Sequence, residues 1–376
     1  MPEPFKNWFN ADLIRTMAVV FDRIDGFERA EFERIALTGL DDLELMQRSD
    51  QIAAAMTASL PLDFPGILQP LTGVLHPDTE SGFNTDPLGA EGLHGWALMP
   101  VGKFVATYGM GCPDESLTFL RELTMRSSAE FAVRPFYKEH PDLTLAHTTK
   151  WARDQNQHVR RLASEGSRPR LPWGMRLHGF VDDPAPLLPI LETLRDDPSD
   201  YVRRSVANNL NDIAKDHPDL VAGLATDWMR NAPKPRQKLI KHACRSLIKS
   251  GHAATLAVFG YGGADTVSAR LNLTPQTVQL GETLTLSATF SHSESTAQPV
   301  LIDVVMRFLK ADGSHGAKVF KWTETTLPPG QPLVLEKRLP LRDVTTRRHY
   351  PGRQYVAVQV NGQTLAEAPF DLTLPG

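Results

Sequence analysis

The sequence predicts two regions of different fold class, a helical repeat region followed by a β-sandwich. Three observations support this: a phrase that recurs along the first two thirds of the chain, a glycine-rich segment after it, and strand periodicity beyond that segment. With 376 residues the chain is long enough for two or three domains. Its 41% hydrophobic and 22% charged residues are typical of ordinary globular domains.

The recurring phrase indicates stacked pairs of helices. HVRRLASE at 158–165 returns 43 residues later as YVRRSVAN at 201–208, and KEHPDL at 138–143 returns as KDHPDL at 215–220. Self-similarity at this period is typical of HEAT and armadillo repeats, in which each repeat buries one helix face against the next and lines a concave surface. We therefore predict an all-α HEAT-like repeat solenoid over residues 1–260.

Helical spacing and helix-ending prolines extend this prediction along the chain. Apolar residues recur at three- and four-residue intervals near residues 13–21 and 32–36, and a Pro/Gly-rich stretch at 63–92 interrupts them. Helices are expected at about 96–109 and 114–126. Prolines 141, 198 and 218 mark helix boundaries, because proline cannot continue a helix.

Beyond the glycine-rich segment FGYGG at 259–263 the sequence predicts strands. Residues 274–290 alternate apolar and polar, and 300–309, 318–323, 333–339 and 354–360 read as short strands. Asp312-Gly313 and Asn361-Gly362 are hairpin-turn dipeptides. About seven short strands in roughly 110 residues indicate an all-β immunoglobulin-like sandwich over 265–376, without the antibody-type disulfide.

Charge is unevenly distributed along the chain. The chain carries a net −4, yet residues 1–100 hold 6 basic against 16 acidic side chains, whereas residues 150–250 hold 18 basic against 12 acidic ones. A basic middle in an acidic protein suggests a local anion-binding face. A solvated basic helix face explains the same pattern and stays open at this point.

Several other classes of protein receive no support. Cys112 and Cys244 are too few for a disulfide framework or a cysteine-rich metal site, and the twelve histidines form no metal-like cluster. The sequence contains no glycine-rich phosphate loop, no HExxH and no GxSxG elbow. We expect no metal and no cofactor. Without a stretch of roughly 18 apolar residues or a signal-peptide layout, we expect a monomeric, cytoplasmic bacterial protein without membrane contact.

Charged residues on successive repeats form the candidate site. On the helix beginning near Ser199, Arg204, Asn208 and Asp212 are spaced four apart and should share a face. Arg161 and Glu165 occupy the matching positions one repeat earlier, and a Glu/Arg pair at 130 and 134 precedes them. Stacking predicts that the three carboxylates approach one concave surface. Trp173 follows in the basic loop RPRLPWG at 168–174.

Two interpretations of these residues stay open on spacing alone. On spacing alone the Glu/Arg pairs favour exposed helix salt bridges, worth about 0.3–0.5 kcal/mol each, and a lone tryptophan is usually a packing residue. The combination, however, suits a cationic group held on a DNA backbone. Carboxylates stabilise positive charge, an aromatic face attracts cations, and arginines hold phosphates.

At these residues the chain resembles a known family. SSAEFAVRPF at 127–136, ASEG at 163–166 with RPRLPW at 168–173, and SVANNLND at 205–212 look like the AlkC branch of the AlkD-like DNA alkylation repair glycosylases. The similarity covers essentially the whole helical region. The C-terminal region is similar to the immunoglobulin-like domain that one AlkC subgroup carries.

The resemblance implies a monofunctional glycosylase that hydrolyses the N-glycosidic bond of cationic N-alkylated bases, such as 3-methylcytosine and 3-methyladenine, in duplex DNA. It implies chemistry without flipping the base into a pocket. Matched position by position, it implies Glu130, Glu165 and Asp212 as active-site carboxylates, stabilising an oxocarbenium-like state and positioning water, and Trp173 as the active-site aromatic residue.

The expected partner is double-stranded DNA containing alkylated bases, with no small-molecule cofactor. The side chains expected at the DNA backbone are Arg161, Arg168, Arg170, Arg203, Arg204, Arg347 and Arg348; the last two lie in the cation-rich segment 342–353 of the predicted sandwich. The alternative is a non-catalytic HEAT-repeat scaffold that binds a protein partner, since a fold alone never fixes a function.

Overall fold

A computed structural model describes residues 4–61, 63–83, 86, 88–344 and 347–375. The first two thirds of this described chain are helical, with short 3-10 turns between the α-helices. The helices are α1 (Ala11–Phe21), α2 (Arg29–Leu37), α3 (Leu45–Ser59), α4 (Leu68–Gly73), α5 (Leu98–Tyr108), α6 (Pro113–Thr124), α7 (Arg134–Glu139), α8 (Pro141–Trp151), α9 (Gln157–Glu165), α10 (His178–Asp182), α11 (Leu188–Leu194), α12 (Asp200–Ile213), α13 (Pro218–Met229), α14 (Lys234–Ala243), α15 (Arg245–Ser250) and α16 (Ala253–Val258).

The last third is built from strands that form two sheets. The strands are β1 (Val267–Thr274), β2 (Thr277–Gln279), β3 (Thr283–His292), β4 (Gln298–Leu309), β5 (His315–Leu327), β6 (Leu333–Pro340), β7 (Gly352–Val360) and β8 (Gln363–Thr373). One sheet has the order β1-β3-β6 and the other β2-β8-β7-β4-β5. Neighbouring strands are antiparallel except β2 and β8. The predicted fold class, helices followed by an immunoglobulin-like sandwich, is confirmed.

The sandwich forms where the sequence alternates. Along β3 every second residue is buried, as expected for a strand with one face on a core. The hairpin dipeptides lie where they were predicted, between β4 and β5 and between β7 and β8. Gly313, Asn361 and Gly362 have positive φ, a conformation that asparagine and glycine adopt most readily. The cation-rich segment follows β6, and its last two residues begin β7; its Thr345 and Thr346 are outside the described residues.

The described chain divides into two compact units. One contains the residues up to Asp216 together with Pro233–Ala243, and the other contains His217–Ala232 and the residues from Cys244 onward. Helices α13, α15 and α16 therefore belong to the second unit with the strands. The boundary predicted between residues 260 and 265 stays a prediction.

The repeated phrases adopt matching backbone conformations. Asn156 before α9 and Ser199 before α12, 43 residues apart, have φ/ψ of −79/127 and −82/124. His140 before α8 and His217 before α13 have −133/59 and −128/64. In both of the latter turns a proline occupies the first helical position, where its missing N–H costs nothing. The sequence repeat is therefore also a repeat of local structure.

The first arginine of each Val-Arg-Arg phrase has one shared role. Arg160 donates to the carbonyls of Asp154 and Gln155, six and five residues back, and Arg203 donates to those of Asp197 and Pro198 at the same offsets. Each guanidinium thus satisfies backbone carbonyls in the turn that precedes its helix. This explains why an arginine recurs at that position.

Ion pairs connect successive repeats of the first unit. Arg121 on α6 donates to Asp154 at 2.8 Å, and Arg160 on α9 makes a two-pronged contact with Asp197 at 2.6 and 3.0 Å. Asp154 and Asp197 are themselves 43 residues apart.

Among the described residues, no helix combines the length and the apolar character needed to cross a membrane.

We predict that Arg160→Met lowers the free energy of unfolding by about 1.5–3 kcal/mol, the usual range for hydrogen bonds to charged groups. The change removes the two-pronged bond and leaves the carboxylate of Asp197 buried without it. Urea unfolding followed by circular dichroism measures the loss. Arg153→Met, at an exposed position four residues before the α9 helix, is the control and should change stability little. Equal stability of both variants would contradict the proposed role of the Arg160–Asp197 pair.

Candidate active site

The candidate site lies in the first unit, in an open cleft of about 420 Å³. The turn before α7, helix α9, the 166–177 loop and helix α12 each contribute side chains to it. Its charged lining residues are Glu130, Arg161, Glu165 and Arg168, and its aromatic ones are Phe83, Trp96, Phe131, Trp173 and Tyr201. In the described residues, no group of three or more histidine, cysteine or acidic side chains is arranged to hold a metal ion.

Glu165, the last residue of α9, has both carboxylate oxygens occupied. Arg168 donates to Oε1 at 2.7 Å, and the Ser205 hydroxyl donates to Oε2 at 2.6 Å. Arg161 approaches Oε1 at 3.5 Å. Burial alone would raise the pKa of Glu165, but the two guanidinium groups and the Ser205 bond outweigh it and hold that pKa below its usual range. Glu165 is therefore ionised at neutral pH.

Asp212 lies deeper than Glu165 and connects to it through Arg168. The Arg168 Nε donates to Asp212 at 2.8 Å, and Lys215 one turn later approaches the other oxygen at 3.1 Å. Only 3% of the Asp212 side chain is exposed, and it is not among the residues at the cleft surface. The prediction that Asp212 shares the site with Glu165 agrees with this geometry, whereas direct access of Asp212 to a ligand does not follow from it.

Glu130 is the most exposed of the three carboxylates, with 16% of its side chain accessible. Its Oε2 accepts from Arg161 at 2.5 Å and from the Ser128 hydroxyl at 2.8 Å. Its Oε1 has no hydrogen-bond partner among the described residues. The Glu130 carboxylate thus has one oxygen free at a surface that a ligand can reach.

The pairing of Glu130 with Arg134, considered from their four-residue spacing, is wrong. Glu130 lies in a turn before α7, where the four-residue rule of helices does not apply, and its partner is Arg161 from the next repeat. Arg134 is fully buried and makes no ion pair within the described chain. Nor are Arg161 and Glu165 an exposed surface pair, because both side chains are largely buried.

Trp173 stands at the edge of the cleft with 72% of its surface exposed. Its backbone has a φ of +62°, a left-handed conformation that is uncommon for a residue with a large side chain. Strain of this kind clusters at functional sites. The exposure of Trp173 does not favour the packing interpretation, and contact of its indole with a ligand stays a prediction.

Sequence reasoning missed four side chains at this site. Tyr201 lies under Arg161, whose guanidinium carbon is 5.3 Å from the centre of its ring, and Ser205 holds Glu165. Tyr201 and Ser205 both belong to the second copy of the repeated phrase, and that copy is the signal in the sequence from which they could have been identified. Phe83 and Trp96 form another wall with ring centres 5.3 Å apart, but Phe83 lies outside any helix and Trp96 lies in a short 3-10 turn, so neither belongs to a periodic pattern.

The arginines expected to contact DNA have different surroundings. Arg161 and Arg168 pair with the site carboxylates, Arg170 pairs with Asp216 at 2.6 Å, and Arg203 bonds the backbone. Arg204 is 60% exposed beside Asp200 at 3.4 Å. In the second unit, Arg347 stacks on the Phe308 ring at 3.7 Å, and Arg348 lies near Tyr350. Their contact with DNA stays a prediction.

Comparison with known proteins finds one family match in the helical region and one in the sandwich. The family described as "DNA alkylation repair enzyme" matches residues 124–247, and the C-terminal Ig-like domain family of the uncharacterised protein YhaZ matches 267–374. The chain is 37% identical over 370 residues to YhaZ of Bacillus subtilis strain 168, covering 98% of this chain and 99% of that protein.

A solved structure also matches along the whole length. The Pseudomonas fluorescens alkylpurine DNA glycosylase AlkC, bound to DNA containing an abasic site analogue, superposes with a TM-score of 0.87 at 37% identity, covering 99% of this chain and 100% of that one. The chain belongs to the AlkC family. The resemblance stated from the sequence is confirmed, and Glu130, Glu165, Asp212 and Trp173 occupy one connected region of an AlkC-like helical unit.

We predict that Arg168→Met lowers the free energy of unfolding by about 3–5 kcal/mol at pH 7, because it leaves two buried carboxylates without their shared cation. Glu165 has a lowered pKa when folded, so its stabilising contribution is present above its unfolded pKa of about 4.3 and is lost as the pH falls through the folded value. The deficit of the variant should therefore shrink below about pH 4.

Urea unfolding from pH 7 to pH 3 measures this deficit. Arg170→Met is the matched control, since the Arg170–Asp216 pair is more exposed and should contribute only about 0–1 kcal/mol. A deficit of Arg168→Met that stays constant across this pH range would contradict the electrostatic explanation.

Proposed function

We propose that the protein is a monofunctional DNA glycosylase that hydrolyses the N-glycosidic bond of cationic N-alkylated bases in duplex DNA. The observation that supports this most directly is the network of carboxylates and arginines at an open cleft, with Glu130 and the Trp173 indole both accessible. Membership of the AlkC family and the likeness to an alkylpurine DNA glycosylase support the same reaction class.

The chemistry fits a substrate that already carries positive charge. A base such as 3-methylcytosine or 3-methyladenine is a good leaving group, so the site needs no strong general acid. As the glycosidic bond breaks, positive charge develops on the sugar, as in glycoside hydrolysis. Fixed carboxylates stabilise that charge. Glu165, ionised and held by Arg168 and Ser205, needs no rearrangement to do so.

The three carboxylates then have different roles. Glu130, with Oε1 free at the cleft, is the group placed to meet the developing cation or to hold the attacking water. Glu165 adds negative charge close behind it. Asp212 acts through Arg168, which it holds against Glu165. The exposed Trp173 face offers a cationic base or sugar an aromatic contact.

The cleft composition supports a monofunctional enzyme that leaves the DNA backbone intact. Strand cleavage by a glycosylase commonly starts from an amine that forms a Schiff base with the sugar. Among the described residues that line the cleft there is no lysine. The cleft is open rather than enclosed, and its Trp173 is mostly exposed. Both features support chemistry on a base that stays in the duplex.

We further propose that the DNA backbone is held by the more exposed cations. In the first unit Arg204 is the best placed of the predicted residues, because Arg161 and Arg168 hold carboxylates and Arg203 satisfies backbone carbonyls. In the loop between β6 and β7 of the second unit, Arg348 is exposed, whereas Arg347 is half-buried on the Phe308 ring. Such contacts add affinity that does not depend on sequence.

We predict that Glu130→Gln and Glu165→Gln each slow release of 3-methyladenine from alkylated duplex DNA by about 10²-fold or more, the usual effect of removing one preorganised electrostatic group. Asp212→Asn should act in the same direction by loosening Arg168. Single-turnover base release, followed by chromatography, measures the rate.

Binding to a duplex with an abasic-site analogue, measured by fluorescence anisotropy, should change little in these variants. Glu139→Gln, an exposed carboxylate on α7, is the control and should release bases at the wild-type rate. Wild-type release by Glu130→Gln and Glu165→Gln would contradict the catalytic assignment. Absence of release by the wild type would instead favour the scaffold alternative.

We predict that Arg204→Met and Arg348→Met each weaken DNA binding irrespective of sequence. Each should reduce the slope of log affinity against log salt by about 1, because one phosphate contact releases about one counterion. Anisotropy titrations between 50 and 300 mM salt measure the slope. Arg34→Met, an exposed arginine paired with Glu31 on α2, is the control. Unchanged slopes in both variants would remove these residues from the DNA interface.

A further inference from the structure

Arg134 is a fully buried arginine whose charge has no acidic partner. It is the largest side chain that the first unit buries completely, and among the described residues no carboxylate forms an ion pair with it. Its Nη2 atom has no hydrogen-bond partner in the described chain. Burial strips away solvent and lowers the pKa of Arg134 to about 10, so the group still carries its charge at pH 7.

The three bonds that Arg134 does make all end on one loop. Its Nη1 donates to the carbonyls of Gly166 at 3.0 Å and Arg168 at 2.9 Å, and its Nε donates to the carbonyl of Met175 at 2.5 Å. The carbonyls of Gly166 and Arg168 lie on the N-terminal side of the 166–177 loop, its incoming arm. The carbonyl of Met175 lies on the C-terminal side, its outgoing arm. A planar guanidinium can span both arms at once, which a lysine ammonium does less well.

The incoming arm of the loop has further anchors, because the Ser167 hydroxyl bonds the carbonyls of Ala163 and Ser164, and Arg168 and Arg170 pair with Glu165, Asp212 and Asp216. The tip and the outgoing arm of the loop have few bonds besides those to Arg134. Pro169 and Pro172 lack N–H groups, and its tip is bridged by the bonds from Gly174 to Leu171 and from Leu177 to Pro169. The backbone of the loop also approaches Arg134 so closely that a side chain at Gly174 would begin 3.3 Å from Arg134 Cδ and Nε. The loop and the buried guanidinium are therefore fitted to each other.

Trp173 sits at the tip of this loop, between two depressions. On one side is the charged cleft, and on the other is a mainly apolar depression of about 270 Å³ bordered by Met46, Leu98, Met99 and Met175. An exposed indole at a loop tip with few bonds can lower its free energy by entering apolar surroundings. Holding Trp173 at the cleft in its left-handed conformation therefore requires a rigid loop.

We propose that Arg134 is a positioning residue for Trp173, acting through the backbone of the 166–177 loop. The arginine fixes the two arms, the arms fix the tip, and the tip presents the indole to the cleft. Because Arg134 also bonds the carbonyl of Arg168, the same clamp orients the guanidinium that joins Glu165 to Asp212. The role of the indole in base release rests on the proposed function. The role of Arg134 in holding the loop does not depend on that function.

The first test of this proposal uses no activity. Native trypsin digestion followed by mass spectrometry measures the rate of cleavage between Arg170 and Leu171 in the loop; the bond after Arg168 precedes Pro169 and resists trypsin. Arg134→Met should raise this rate by about tenfold or more, because local opening sets it. Arg134→Lys should lie between Arg134→Met and wild type.

The matched control is Arg48→Met. Arg48 is also a buried arginine, and it donates to the carbonyls of Lys6, Phe9 and Leu43, none of which is in the 166–177 loop. Both variants lose a buried cation and several backbone bonds, so their melting temperatures should fall comparably. Loop cleavage that rises equally in Arg134→Met and Arg48→Met, or in neither, would overturn the proposal.

The second test is a double-mutant cycle on base release. Arg134→Met and Trp173→Ala should each slow release of 3-methyladenine, with a loss of about 3- to 30-fold for the aromatic contact. If Arg134 acts through Trp173, adding Arg134→Met to Trp173→Ala should cost much less than it does in wild type. Multiplicative losses would overturn this step. If wild type releases no base, the proposed function fails, while the trypsin test still decides whether Arg134 clamps the loop.

Discussion

The organisation of the first unit depends on a chain of alternating charges that crosses three successive repeats. Glu130, Arg161, Glu165, Arg168 and Asp212 each contact the next, from the turn before α7 through α9 and the 166–177 loop to α12. Such a chain is costly to bury, and it is stable only if every charge has its partner at the right distance. The stacking of the repeats therefore has to be accurate for the site to exist, and the completed site in turn holds the repeats together.

Under the proposed function, this charge chain also limits how selectivity for a cationic lesion can arise. Arg161 and Arg168 largely neutralise Glu165 and Asp212, so the cleft does not attract cations through a large net negative charge. What remains is local: one free oxygen of Glu130 and the exposed face of Trp173. A ligand has to place its positive charge at that point. The site therefore favours a positive charge that develops on a sugar held in a fixed position, and it gives less advantage to a free cation.

Much of this could be predicted from the sequence, because the repeat constrains both helix positions and faces. The buried stripe of α12 and the hairpin turns of the sandwich follow directly from periodicity and turn chemistry. The partner of Glu130 could not be predicted in this way, since Glu130 lies in a turn and bonds across a repeat boundary. Phe83 and Trp96 were missed for a related reason: irregular segments place side chains by tertiary contacts, which carry no local signal.

The two copies of the Val-Arg-Arg phrase explain how one repeat forms a site and the next does not. The first arginines, Arg160 and Arg203, keep an identical task because each bonds its own preceding turn. The second arginines differ. Arg161 meets Glu165 four residues later, whereas Arg204 has Asn208 there and pairs outward with Asp200 instead. Where the first copy has a carboxylate the second has an amide, and the second arginine is exposed at the surface instead of buried in the charge chain.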